Sequence, residues 1–544
     1  MVSYTASSPE ITRRSLVKGS VAAALGLGLA SVMPEALAPQ VAEAAETGVF
    51  NVAIPSMPST LLPSYSVGDD HTSEIRPLYE SLFLELPSED LEYHLADSVE
   101  LSEDGLTYTV HIRDNANWSD GEPVVADDVM LAIAYQGRNS NGKSSSNVID
   151  DVDLVFSQPD EKTLQITLPK VYNNYLHTMA GWVPMPAHIF DGDVAKVVED
   201  GTYFITPGMV TSGAYTVDQV NEDSLVYVAR DDYYGGELQV KKVVMKTIGS
   251  GSTKLIALEN GEIDYARVTT PEDLEKYAAD TDNYTVYSMS ECRLNYLQLN
   301  PNGPVISQLP EDARKALFLA LSCQDIVDIA WGSDELAVPA TSLLTPDQTI
   351  YSAGVKGYEQ DLETAKQLAE SSGLAGQTLT YIYNSDRANM EQVAVVVQQQ
   401  LAAIGVNLTI QGGDATTFFT QFFYGLWSGG EAMANTWDLA SNGWDSMRGT
   451  TPCQAYSYFT QGTSGYTTGF SDEVAALAEQ ANGTVDTAEC KELWAQIQQK
   501  ALDEYWEYPL TYTNFVMVAR KNVKGLDCSP VVPEFAQYQG ITVE

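Results

Sequence analysis

Few residues in this 544-residue chain are spaced for bond-breaking chemistry. The G-x-S-x-G nucleophile turn, the H-E-x-x-H zinc helix and the phosphate-cradling P-loop are all absent. The five histidines (His71, His94, His111, His177, His188) are scattered, and His111 falls on the polar side of a strand pattern, where a solvated ring is the ordinary state. Cys292, Cys323, Cys453, Cys490 and Cys528 include no C-x-x-C pair, so zinc-ribbon, iron–sulfur and thioredoxin centres lack their ligands. In an oxidising compartment they permit two disulfides and one spare thiol, and Cys323, in an apolar helix, is the expected buried free one. The 74 carboxylates must include close pairs, which leaves a hydrolytic dyad open without singling one out. One segment does stand out: Trp437–Pro452, WDLASNGWDSMRGTTP. There Asn442 and Gly443 precede a flat aromatic wall, Trp444. An acceptor, Asp445, and a bidentate carboxylate fork, Arg448, flank Met447. These residue types suit holding a polar molecule, although Asp445 and Arg448 can equally pair with each other.

Such residues need elements to position them. Leu106, Tyr108, Val110 and Ile112 alternate with Thr107, Thr109, His111 and Arg113, which predicts a strand with one buried face. Asp104-Gly105 before it and Asp120-Gly121 after it are turn chemistry. Asp127 and Asp128 then cap and charge a helix from Val129 to Gln136 that stops at Gly137. Ala313, Ala316, Leu317, Ala320 and Leu321 make an apolar helical stripe, and Ser322 with Asp325 reads as the cap of the next helix. Val393, Val396, Val397, Leu401 and Ile404 make another stripe, ended by Gly405 before the alternating Val406, Leu408, Ile410. Helices and strands alternate throughout, so the class is α/β with mixed sheets, and the length calls for two or three lobes.

Net charge is −45, and no extended Lys/Arg cluster follows residue 18, which argues against a nucleic-acid partner. Thr12-Arg13-Arg14-Ser15-Leu16-Val17-Lys18 resembles the twin-arginine export motif. The apolar run Val21 to Val32 and small-residue sites at Ala36-Leu37-Ala38 and Ala42-Glu43-Ala44 follow it, the second being the preferred cleavage point. No cysteine lies near for lipid attachment, and no later segment is apolar enough for a spanning helix. The mature chain is therefore expected outside the cytoplasm, periplasmic or at the cell surface, without direct membrane insertion.

Leu95–Leu131, with its D-G-L-T-Y-T strand, W-S-D-G and A-D-D-V, closely resembles the signature of family 5 extracytoplasmic solute-binding proteins, the oligopeptide- and dipeptide-binding group of ABC importers. Val99 stands where that family usually has Trp. Similar wording recurs at Tyr79–Leu82, Thr211–Val217, Leu255–Val268 and Asn295–Ile326, and the resemblance spans about residues 48 to 530. It implies a two-lobed periplasmic-binding-protein fold of class II (cluster C). A signal segment would occupy 1–45. A discontinuous first lobe would take 46–75, 207–293 and 512–544, with a subdomain inserted at 76–206, and a second lobe would take 294–511. It further implies a monomer without catalytic residues, metal or cofactor that closes over a peptide and hands it to an ABC permease with its ATPase. A nickel complex, an opine or an oligosaccharide is the alternative cargo, and a secreted hydrolase the alternative class. The implied ligand-contacting residues are Asn442, Gly443, Trp444, Asp445, Met447 and Arg448, with Asn295 and Tyr296 on a strand crossing between lobes and Tyr65 on a loop wall. Peptide-binding relatives often carry Asp three residues after the Trp. Here that position is Met447, so an amine anchor requires Asp445 to take its place.

Overall fold

The computed structural model describes residues 48–63, 72–85, 91–138, 147–149, 152–172, 175–180, 182–249, 251–348, 350–426, 435–445, 459–460, 469–484, 487–526, 538 and 540–544. The amino-terminal segment, Tyr65, Met447, Arg448, Cys453 and Cys528 lie outside them.

The predicted hairpin is present. Thr107–Ile112 pairs antiparallel with Ala96–Leu101 on one side and Thr163–Thr167 on the other, in a four-stranded sheet. Its turn closes because Gly105 takes φ +71° and Asp104 Oδ1 accepts from Ser102 Oγ and the Leu106 amide. Those bonds also hold the Asp104 carboxyl below its usual range, the Ser102 bond foremost. The following helix runs from Ala126 to Gln136, three residues earlier than its pattern suggests. Asp128 is the reason. It reaches back to the Val125 amide (2.9 Å) and also accepts from Trp118 Nε1 (2.9 Å) and the Ala187 amide (2.8 Å). Asp128 is fully buried, so it is a hub joining turn, helix and a distant loop rather than a surface charge.

The buried apolar residues form separate cores, two of them large. The first is built on the sheet Val49–Ile54, Lys242–Thr247, Ser224–Ala229, Tyr215–Val220 and the hairpin region, and takes in Phe515, Met517 and Ala519 near the end of the chain. The second runs from Ala257 to Val518 and includes the apolar stripes Ala313–Leu317 and Val393–Leu401. Both predicted stop and start signals are in place: Ser322 Oγ accepts the Asp325 amide, and Gly405 takes φ +79°.

Two long strands cross between the cores, Tyr284–Leu299 outward and Glu507–Arg520 in return. They lie in a mixed sheet ordered Tyr265–Arg267, Glu507–Arg520, Tyr284–Leu299, Leu439–Asp445, Thr378–Asn384, Asn407–Gly413. Along the return strand, Phe515, Met517 and Ala519 face the first core while Val516 and Val518 face the second. The outgoing strand bulges midway, its partner jumping from Asn514 opposite Ser290 to Thr513 opposite Arg293. Within the bulge Cys292 takes φ +45°, and the buried Glu291 carboxylate accepts from Arg267 Nη2 at 2.8 Å. No helix among the described residues is long and apolar enough to cross a membrane.

Candidate functional site

The Leu439–Asp445 strand is fixed at its start by Asp438. This buried carboxylate accepts the Val305 and Ile306 amides (2.7 and 3.0 Å) through Oδ1 and the Thr380 amide (3.1 Å) through Oδ2. Asn300 Nδ2 adds a bond to the Trp437 carbonyl at 2.8 Å. Trp437 itself is buried and stacked on Phe422. The strand then runs antiparallel to the outgoing crossing strand, which sets Gly443 opposite Asn295 and Asn442 opposite Tyr296.

That register divides the predicted residues between two faces. On one face Asn295 and Gly443 lie together with Thr511 of the return strand, since Asn295 Nδ2 donates to Thr511 Oγ1 at 3.0 Å. Gly443 has no room for a side chain. A Cβ there would come within 2.5 Å of Asn295 Oδ1 and 2.8–2.9 Å of the Arg293 guanidinium. On the other face Asn442 Nδ2 donates to the Tyr296 hydroxyl at 3.4 Å, and Tyr296 is 1% exposed in a core with Leu294, Phe459 and Trp494. Tyr296 and Asn442 thus meet each other in the packed interior, while Asn295 and Gly443 form part of a polar strip. Trp444 and Asp445 are placed by register alone, opposite Leu294 and Arg293.

Arg293 was not among the residues that sequence reasoning selected. It sits first after the bulge, 9% exposed, and its Nε donates to Asn295 Oδ1 at 3.4 Å. A charged residue at the head of the run LNYLQL was the available signal. The strip therefore comprises Arg293, Asn295, Thr511, Thr513 and Ser441, all buried, around the bare backbone of Gly443. Such a surface offers donors and acceptors in a water-poor setting but no paired nucleophile and base. Among the described residues no group of three or more His, Cys, Asp or Glu is placed to hold a metal ion.

Residues 90–467 match the bacterial extracellular solute-binding proteins, family 5. The chain belongs to that family. Among its relatives, "Probable D,D-dipeptide-binding periplasmic protein DdpA" of Escherichia coli K12 is 24% identical over 88% of this chain and 91% of its own length. The glutathione-binding protein GsiB of the same organism is also 24% identical, over 88% of this chain and 92% of its own. The crystal structure of the ABC transporter substrate-binding protein CtaP of Listeria monocytogenes superposes with a TM-score of 0.80. It is 26% identical and covers 91% of this chain and 99% of CtaP. Family membership bears out the two-lobed architecture expected from Leu95–Leu131.

Proposed function

We propose that this chain captures short peptides outside the cytoplasm by lobe closure and presents them to an ABC permease with its ATPase. The observation that carries the reading is the strip of Asn295, Thr511 and Arg293 around a glycine that tolerates no Cβ, set on the strands that cross between the cores. Exposed peptide backbone is what such a strip would recognise, because Gly443 allows main chain to approach main chain and the amide and hydroxyl groups supply hydrogen bonds without demanding a particular side chain. DdpA, by name a probable D,D-dipeptide-binding protein, and GsiB, by name a glutathione-binding protein, support peptide-sized cargo. We place the division between lobes at 293/294 and 511/512, beside the bulge, so closure brings the strip and its surroundings around the solute. Asp445 serves as the acceptor for a ligand amine, in the place Met447 cannot fill. Binding, not turnover, is the activity.

We further propose export by the twin-arginine route, with Arg13 and Arg14 as its signal and the folded monomer retained outside the cytoplasm. The double variant Arg13→Lys, Arg14→Lys should accumulate inside the cell. Normal export of that variant would remove the route.

The binding reading is tested by adding an equimolar library of di- to pentapeptides to the purified mature chain. Retained peptides should raise the melting temperature and be recovered intact, with stabilisation of about 2.7 kcal/mol at a hundredfold excess over Kd. Consumption of peptide, abolished by one carboxylate substitution, would replace this reading with the hydrolase.

A further inference from the structure

We propose that Tyr172 and Lys170 form a latch that holds the lobes together, so that solute retention is set by a contact between the two halves of the molecule as well as by the polar strip; the inference rests on the closure reading above. Three observations carry it. Tyr172 packs against two cores at once, the one that holds Tyr108, Tyr175 and Trp182 and the one that holds Leu294, Phe459 and Trp494. The helix Asp472–Asn482 contributes Val474, Ala478 and Ala481 to the second of these. Two residues before Tyr172, Lys170 Nζ lies 3.9 Å from Glu479 Oε2 on that same helix. Lys170 and Glu479 belong to neither crossing strand, so their contact is separate from the strands about which closure would turn.

Each side of the latch is anchored. The segment leaves the strand Thr163–Thr167 with its Leu168 amide on the Leu106 carbonyl (2.8 Å), and the Tyr172 carbonyl accepts the Tyr175 amide (3.0 Å). Between these bonds Val171 fills the space over Gly105, where a Cβ would meet its Cγ2 at 3.2 Å. Opposite, Lys500 of the helix Thr487–Asp503 pairs with Glu473 at 2.8 Å, and Glu504 accepts the Ser471 amide at 2.7 Å. With both sides fixed, the contact is made or broken as the lobes move and does not stretch with them. Its two members act differently. The Lys170–Glu479 pair is 44% and 42% exposed, so water screens most of its attraction, and burial of the Tyr172 ring supplies the larger share. Lys170 matters because the chain carries a net charge of −45, which opposes the approach of two acidic bodies, and a lysine facing Glu479 relieves that repulsion locally. A contact present only in the closed form raises the closed fraction, and apparent affinity rises with that fraction.

The test follows retained peptide and molecular shape together. The full mature chain, Tyr172→Ala and Tyr172→Phe are each loaded with an equimolar library of di- to pentapeptides, and loss of retained species after dilution is timed by native mass spectrometry. Small-angle X-ray scattering before and after loading gives the radius of gyration. Tyr172→Ala should release peptide roughly tenfold faster, keep the same selection of peptides and scatter as a more open particle. Tyr172→Phe should match the unaltered chain. Lys170→Glu should speed release about two- to threefold at low salt, and the double variant Lys170→Glu, Glu479→Lys should restore it. Unchanged release and radius in Tyr172→Ala would overturn the proposal, as would a changed selection of peptides, which would make Tyr172 a pocket wall. If Tyr172→Ala does not fold, the charge-reversal pair decides, and no recovery in the double variant overturns the latch. An unaltered chain that retains no peptide removes the peptide reading and leaves the latch to the scattering comparison, in which equal radii overturn it.

Discussion

At Gly443 even the smallest substitution meets resistance, because a methyl group would press on both Asn295 and Arg293. Gly443→Ala should cost ~1–3 kcal/mol of stability through overpacking and weaken solute binding by roughly tenfold or more. Calorimetric titration beside a melting curve separates the two effects. Glu507 presents a different case, a buried carboxyl without a partner among the described residues. It is fully buried, both carboxylate oxygens lack a hydrogen-bond partner among the described residues, and burial alone drives its pKa well above the ordinary value. A carboxyl whose folded pKa is raised contributes stability at low pH that is lost as pH climbs from its unfolded value toward the folded one. Stability should therefore fall with rising pH above about 4.5. Glu507→Met should flatten that fall and gain roughly 1–3 kcal/mol at neutral pH. Chemical denaturation of both proteins across a pH series reads the effect. At this scale the sequence was a partial guide. The free thiol at Cys323, half-buried and donating to the Leu510 carbonyl at 2.9 Å, was legible from local chemistry. Arg293 was not, because its neighbour Gly443 lies 150 positions along the chain and only sheet register joins them.

Elements were easier to read than their junctions. The Asp104-Gly105 turn, the Ser322 cap and the glycine after Ile404 are set by neighbouring residues, so sequence alone placed them. Asp128 shows where that logic stops. Its place in the first helical turn was legible, but its bonds to Trp118 and to Ala187, 59 residues on, were not. Asp128→Ala leaves three donors unpaired and should cost about 3 kcal/mol or more, measured by urea unfolding. The bulge in the outgoing strand poses a sharper test of element geometry. Arg267 is the partner of the buried Glu291 and is itself 41% exposed at its side chain. Arg267→Met should destabilise by roughly 1–3 kcal/mol, less than a fully buried pair would because water screens the guanidinium. The double variant Arg267→Met, Glu291→Met should recover most of the loss. No recovery would mean that the bulge is held by backbone geometry and not by the pair.

For the whole molecule, the sequence named the architecture through one 37-residue stretch, and family membership over residues 90–467 bears it out. What it did not show is that Asn295 and Tyr296, adjacent in sequence, serve different ends: one on the polar strip, the other in the core with Phe459 and Trp494. Alternation guarantees opposite faces, but which face is polar depends on strands brought in from residues 439–445 and 507–520. The net charge of −45 acts at this scale too. Self-repulsion should ease as salt rises toward physiological strength, raising the melting temperature in a thermal-shift series. The central claim is that closed lobes carry a peptide. Mass spectrometry of the material released when protein purified from its native compartment is denatured tests it most directly. The account predicts a ladder of peptides, two to several residues long. A single non-peptide species would contradict it.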